Sequence, residues 1–295
     1  MEEPQHEVVS RPLSTLHSTD GGCTYTCCCA AGPSYTLEPE LVPPQGTLRV
    51  VHHEPGAFVV VEKPAFLPSE NTARIKDSVR ARLESMSIAG DDHARVRLAH
   101  RLDWETSGLL VAALTPEAMR SLSEQFASRS VRKVYVADVL GRPPTRAGTV
   151  NLPLSPDPAR LPRQRVDFGR SGKAARTEWV VEEEAANACR VRLVPESGRR
   201  HQLRMHCLAL GCAIAGDSLY EGLANAVDGR EVSDLSYRPS RLHLHAAEIR
   251  FAHPLTGEPL LFKSEPPFHL EHASRWGTAI AAAPEARSDE KARES

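Results

Sequence analysis

No run of apolar residues in this 295-residue chain approaches the roughly 18 needed to cross a bilayer as a helix, which excludes a helical membrane anchor. The opening Met1-Glu2-Glu3-Pro4 is acidic and has no apolar stretch behind it. That argues against a secretory signal and against a mitochondrial transit peptide, which is poor in acids. Seven cysteines are present, yet no spacing gives a paired C-x-x-C zinc site or a secreted disulfide framework. Four of them crowd into Cys23, Cys27, Cys28 and Cys29, and the rest, Cys189, Cys207 and Cys212, stand in core-like segments. The Cys27-Cys28-Cys29 run could accept a lipid or a metal. The simpler reading is a reduced, solvent-exposed tail in an intracellular protein. No internal repeat is visible. The expectation is a soluble, intracellular chain with no membrane contact, placed in the cytoplasm or an organelle.

What is there supports a folded enzyme-sized body. Hydrophobic residues make up 41% and charged residues 25%, enough for a sizeable core under an ordinary surface. The net charge of −2 hides an asymmetry: Arg120 to Arg204 carries 17 Lys and Arg against 9 Asp and Glu, leaving the remainder strongly acidic. A basic middle is the footprint of a nucleic-acid binder, and equally of a scattered solvated surface. Residues 1–45 are rich in Pro, Ser, Thr and Gly without a period and read as a flexible tail. Residues 272–295 read as a second one, leaving a single domain over 46–271.

Inside that domain the patterns alternate. Leu48–Val51 and Phe58–Val61 flank Glu54-Pro55-Gly56 as a hairpin. Lys76 to Met86 has a helical pattern, and Gly108 to Leu114 is an apolar strand. Thr115-Pro116-Glu117 opens a helix with a capping hydroxyl, a proline at its first position and an early acid; it runs to about Ser128. Val131 to Leu140 is β-branched and aromatic, as strands are. A Pro- and Arg-rich loop spans Arg142 to Lys173, then strands over 178–184 and 190–194, a helix over 200–210 with Gly211 as its cap, and a last hairpin over 242–251 and 259–263. Strands outnumber helices and mostly connect by hairpins. The fold class expected is α+β, with a mixed, largely antiparallel sheet and flanking helices.

The chemistry concentrates in His100-Arg101-Leu102-Asp103-Trp104-Glu105-Thr106-Ser107-Gly108, a carboxylate set between an arginine and a turn that enters an apolar strand. Alone, such an Asp is more often a turn residue than a reactive one. Three further segments stand in order with it: Phe58-Val59-Val60-Val61-Glu62-Lys63-Pro64, Arg132-Lys133-Val134-Tyr135, and Ser197-Gly198-Arg199-Arg200-His201-Gln202-Leu203-Arg204-Met205-His206 leading to Gly216-Asp217-Ser218-Leu219-Tyr220. Arg241-Leu242-His243-Leu244-His245-Ala246 follows. In this order the segments, covering roughly Gly46 to Phe268, resemble the RluA family of pseudouridine synthases, which cleave the uracil–ribose bond in RNA and rejoin it through carbon.

The resemblance implies a long bent sheet with a central active-site cleft, RNA (rRNA or tRNA) as partner, a monomer, and neither metal nor organic cofactor. It assigns Asp103 as the catalytic carboxylate, with Arg204 as its cationic partner and Tyr135 stacking on the base and helping to remove the C5 proton. A carboxylate suits an anomeric carbon that develops positive charge. Leu203 would pack beneath the site, and Arg101 would fill the gap left by the flipped uridine, since a stacked base hides its glycosidic bond. His201, Arg132, Lys133, Arg163 and Arg165 complete the expected substrate-binding set. Around Arg163 and Arg165, the cations Arg160, Arg170, Lys173 and Arg176 are expected to meet phosphates. His243 and His245 share one side of a strand, but no acid completes a zinc spacing.

The chain departs from the family pattern in the polar insertion from Ser87 to Arg97, in Cys212 where proline is usual, in the loop over 223–240, and in lacking a small N-terminal RNA-binding module. Two rival readings remain. One is a catalytically silent RNA-binding protein on the same fold, against which the joint presence of Asp103, Tyr135 and Arg204 speaks. The other is a hydrolytic carboxylate enzyme, which needs a second working acid such as Glu105 or Asp217.

Overall fold

The computed structural model describes residues 44–73, 75–86, 88, 96–220 and 240–274 in full, and the backbone of three short strands nearer the N-terminus. Those strands, β1 (His17–Thr19), β2 (Gly22–Tyr25) and β3 (Tyr35–Leu37), pair antiparallel in that order within a unit of residues 1–43. They fall in the stretch whose composition reads as a tail; no alternation announces them. The Cys27-Cys28-Cys29 run, most of the Ser87 to Arg97 insertion and residues 221–239 lie outside the described residues.

The second unit is built on one large sheet. Its strands are β4 (Arg49–Glu54), β5 (Phe58–Lys63), β6 (Arg97–Leu98), β7 (Ser107–Ala113), β8 (Arg132–Leu140), β9 (Ala147–Asn151), β12 (Arg176–Glu184), β13 (Ala188–Pro195), β14 (Leu244–Ala252) and β15 (Pro259–Lys263). A small separate hairpin pairs β10 (Leu154–Pro156) with β11 (Gln164–Val166). The spatial order is β4-β5-β7-β14-β8-β13-β12-β9, with β6 on β7 and β15 on β14. Every pairing is antiparallel except β7 with β14, so the mixed, largely antiparallel sheet expected from the sequence is what forms. β9, β10 and β11 fall inside the Pro- and Arg-rich stretch expected to be a loop. They are short, and β9 (Ala-Gly-Thr-Val-Asn) is mostly exposed, so no hydrophobic alternation marks it.

Burial explains the composition of each strand. β5 and β7 are almost wholly apolar because both their faces are covered. Val59, Val61, Leu110 and Ala112 pack on one side with Val79 and Leu83 of α1 (Val79–Ser85). Phe58, Val60, Leu109 and Val111 pack on the other with Ala118 and Leu122 of α2 (Pro116–Ala127). The Thr115 hydroxyl accepts from the Ala118 amide and Pro116 opens α2, as the sequence signals. At the other end of the sheet only one face is covered. Trp179, Val191 and Leu193 meet Leu203 and Cys207 of α3 (Gln202–Ala209), while the alternate residues of β12, including Glu178 and Val180, face solvent. Gly211 follows α3 with φ +78°, the left-handed stop its position predicts.

Candidate active site

One transverse row of the sheet places the site. In register across five strands stand Lys63, Gly108, Ala246, Tyr135 and Leu193. The row closes because Gly108 has no side chain. Its φ is +115°, and a Cβ there would sit 2.4 Å from the Ala246 carbonyl oxygen and 2.5 Å from the Ala246 nitrogen. The glycine therefore lets β7 run beside β14, and the turn from Asp103 to Ser107 enters the sheet at its middle.

Asp103 is half-buried at the head of that turn, and its carbonyl accepts from the Thr106 amide at 3.2 Å. Its carboxylate has no ion-pair partner within 4 Å among the described residues, but its charge is felt by Lys63, Tyr135, His201 and Arg204. Tyr135 is pushed above the usual phenol range by burial and, second, by the negative charge of Asp103, so the phenol stays protonated.

Arg204 is almost fully buried, and the structure corrects the partner expected for it. Its Nε donates to Asp217 Oδ2 at 2.8 Å and its Nη2 to Asp217 Oδ1 at 2.5 Å. The same Nη2 lies 2.9 Å from Glu105 Oε2, and the guanidinium carbon stands 5.3 Å from the Tyr220 ring centroid. Asp217 wins the contact because its turn is rigid: Oδ1 also accepts the Leu219 and Tyr220 amides, both at 3.0 Å. Burial opposes the arginine's charge, but the Asp217 hydrogen bonds and the nearby carboxylates outweigh it, so Arg204 remains a cation. Arg204 thus reaches the Asp103 turn through Glu105, two residues on, whose other oxygen accepts from the Ser218 hydroxyl at 2.7 Å. Glu105 and Asp217, the two candidates for a second working acid, are both committed to this clamp.

Lys63 is the second buried basic group. Its Nζ donates to the carbonyls of Pro64, Leu67 and Trp104 at 2.9, 2.8 and 3.2 Å. Burial pulls its pKa down to about 7, against the pull of Asp103. It therefore grips the backbone next to Asp103, a role its place in the Lys63-Pro64 motif does not disclose. His201 caps α3 from a left-handed conformation, φ +51°, with Nδ1 2.8 Å from the Tyr220 hydroxyl. Burial lowers its pKa to about 4, so the ring is neutral. The Tyr220 hydroxyl also accepts the Gln164 amide at 2.7 Å, tying β11 to α3.

The other expected residues divide. Leu203 is buried in the core cluster against which Tyr135 packs. Arg101 is exposed beside buried Leu102, at the rim. Lys133 is half-buried on the Tyr135 side of β8, and burial lowers its pKa. Arg132 does not join them. It is three residues from Tyr135 in a strand and so projects from the opposite face. Arg163 and Arg165 sit on or beside the β10–β11 hairpin, Arg163 half-buried and Arg165 exposed, 3.9 Å from Asp167. The paired histidines are each occupied: His243 Nδ1 lies 3.1 Å from Asp138 Oδ2, and His245 bridges Ser107 and Ser264 at 2.9 and 3.0 Å. Among the described residues no group of three or more His, Cys, Asp or Glu could hold a metal ion.

Residues 57–209 match the family model described as RNA pseudouridylate synthase. The chain is 40% identical over 225 residues to the dual-specificity RNA pseudouridine synthase RluA of Salmonella typhi, covering 75% of this chain and 94% of that protein. It is 39% identical over 229 residues to the protein of the same name from Escherichia coli K12, covering 77% and 97%. The solved human RNA pseudouridylate synthase domain containing 1 superposes with a TM-score of 0.62 at 27% identity, covering 82% of this chain and 99% of that one. The human domain containing 4 gives 0.59 at 28% identity, covering 77% and 92%.

The chain belongs to the RNA pseudouridylate synthase family. The solved members share its α+β fold, and the sequence relatives extend over most of its length. In this pseudouridine synthase the matched span holds Asp103, Tyr135 and Arg204 but ends before Asp217, the residue that fixes Arg204. Among the described residues, no helix is long and apolar enough to cross a membrane.

Proposed function

We propose that this pseudouridine synthase isomerises particular uridines in stem-loops of rRNA or tRNA, acting as a monomer in the cytoplasm. Asp103 is its catalytic carboxylate. The observation that carries the assignment is the pairing pattern around it. Two other acids of the site, Glu105 and Asp217, are spent on Arg204, while the Asp103 carboxylate stands half-buried, unpaired among the described residues and beside Tyr135. An acid held this way is available to a sugar.

The steps follow from the groups present. The target uridine leaves its stack at a cost of about a few kcal/mol, least in a loop, and Arg101 fills the space it vacates. The base then lies on Tyr135 over the floor that includes Leu203. Asp103, with Lys63 and Arg204 nearby, acts at the ribose, either by attack on C1′ or by removing a ribose proton to give a glycal. Both routes release uracil as an anion, which turns and bonds through C5 as the sugar lets go of Asp103 or takes back the proton that Asp103 removed. Tyr135 starts as a neutral phenol, so it relays: it takes the C5 proton as it passes its own to Asp103, and Asp103 returns that proton to N1, leaving both groups as they began. His201 and Lys133 border the substrate, and Arg163 and Arg165 meet phosphates beside it. The name of the bacterial relatives, a dual-specificity enzyme, supports a substrate range of more than one RNA.

Incubation of the purified protein with rRNA and tRNA, followed by pseudouridine mapping and assay for free uracil, tests this reading. New pseudouridine without released uracil is expected. Released uracil would reveal a hydrolase, and bound but unchanged RNA would reveal a silent binding protein.

A further inference from the structure

The face of the sheet opposite Tyr135 carries a cleft of about 200 Å³ that the reaction does not use. Arg132 and Val134 of β8, Arg192 of β13, Glu248 and Arg250 of β14, and Leu261 of β15 line it. Its charges are unevenly matched. Glu248 lies 3.5 Å from Arg192 and 3.7 Å from Lys263, and Glu182 lies 3.6 Å from Arg192. These acids therefore answer Arg192 and Lys263. Arg132 and Arg250 have no carboxylate within 4 Å among the described residues, although they stand directly opposite each other in the β8–β14 register. Like charges facing across an antiparallel pair repel and weaken it. Both arginines are exposed, so water screens part of that repulsion, and an anion between them turns what is left into attraction.

We propose that this cleft is a phosphate site, with Arg132 and Arg250 as its ligands. Two guanidinium forks can each grip a phosphate through paired N–H bonds, which a single ammonium cannot do. Buried Val134 and the exposed apolar surface of Leu261 supply a floor beside the forks. A phosphodiester of the RNA substrate, beyond the stem-loop in the reaction cleft, has the required chemistry; so does the phosphate group of a small molecule. The first source rests on the function proposed above and extends it: the protein would hold its RNA on two faces of one sheet.

The test uses the full chain and two probes, unfractionated tRNA and inorganic phosphate. Fluorescence anisotropy of labelled tRNA across a salt series compares the parent with Arg132→Ala/Arg250→Ala, with Arg132→Lys/Arg250→Lys, and with Arg120→Ala as a control for loss of an exposed charge on α2. If RNA backbone is the ligand, the double alanine variant loses about tenfold or more in affinity. Its log–log salt slope becomes shallower by about 1, near 0.9 for the one phosphate that is no longer neutralised, while the lysine variant keeps most of the slope. If the slope is unchanged but calorimetry shows phosphate binding in the parent and none in the alanine variant, the site serves a small phosphorylated molecule. An unchanged slope together with no phosphate binding by the parent overturns the proposal. Thermal unfolding of each variant verifies that the sheet is intact. No turnover is read, so a parent that binds this way yet makes no pseudouridine would sink the proposed function and leave the cleft standing.

Discussion

Replacing Gly108 with alanine should disable this protein out of proportion to the one methyl group added. The new Cβ would lie 2.4 Å from the Ala246 oxygen, where ordinary contact begins at 3.4 Å. The obstacle is backbone in a neighbouring strand, so it cannot rotate away, and β7 and β14 must part by about 1 Å. The φ of +115° adds a conformational cost of about 1–2 kcal/mol for any L side chain. Overpacking of this kind costs about 1–3 kcal/mol more. The total, about 3 kcal/mol, corresponds to a fall in Tm of about 6–12 °C for a domain of this size. The functional cost should be larger than the stability cost. Gly108 shares its row with Lys63 and Tyr135 and directly follows the Asp103 turn, and a misplacement of about 1 Å can cost about 100-fold in rate. Thermal unfolding and single-turnover pseudouridine formation measure the two effects. Gly56→Ala is the control: its φ is +73°, but nothing lies within 4 Å of the added Cβ, so it should cost about 1 kcal/mol and spare activity. If Gly108→Ala melted within about 2 °C of the parent and turned over normally, the row would not be what aligns the site.

Three further outcomes follow from the same geometry. Arg204→Met should destabilise by about 3–5 kcal/mol, because it strands Asp217 in the interior, whereas Asp217→Asn with Arg204→Met together should recover part of that loss; equal melting of the single and double variants would refute the clamp. Reversing Arg163 and Arg165 to Glu should weaken RNA binding and flatten its salt dependence, and an unaltered slope would remove the β10–β11 hairpin from the RNA surface. His201 and His245 are buried with pKa values lowered to about 4, below the 6.5 of a free ring, so the unfolded chain binds protons that the folded one refuses. Stability should be fully present above pH 6.5 and fall as the pH drops toward 4, by up to about 1.4 kcal/mol per pH unit for each histidine, and urea unfolding at several pH values would read it.

Much of this architecture is legible in the sequence. The proline-opened α2, the hairpins and the all-apolar β5 and β7 carry local signals, and structure follows them. The ordered motifs point to Asp103, Tyr135 and Arg204 as one site, and the fold brings their elements together. What the sequence hides depends on partners distant in the chain. Arg204 pairs with Asp217 rather than Asp103 because Asp217 is held by two amides of its own turn, and no spacing rule reveals that. Glu105 is visible as an acid but not as the handle by which Arg204 grips the Asp103 turn. Lys63 ends a strand in the sequence; only the structure shows it threaded under Trp104. Adjacency in the motif groups Arg132 with Tyr135, although strand alternation alone already sends it to the other face.

The central claim is that Asp103 does chemistry and is not simply a turn residue. Single-turnover pseudouridine formation on a responsive rRNA or tRNA, comparing the parent with Asp103→Asn, tests it most directly. The variant keeps the shape and the backbone bond to Thr106, so it should fold, bind RNA like the parent and form no pseudouridine. Equal modification by both proteins would contradict the account.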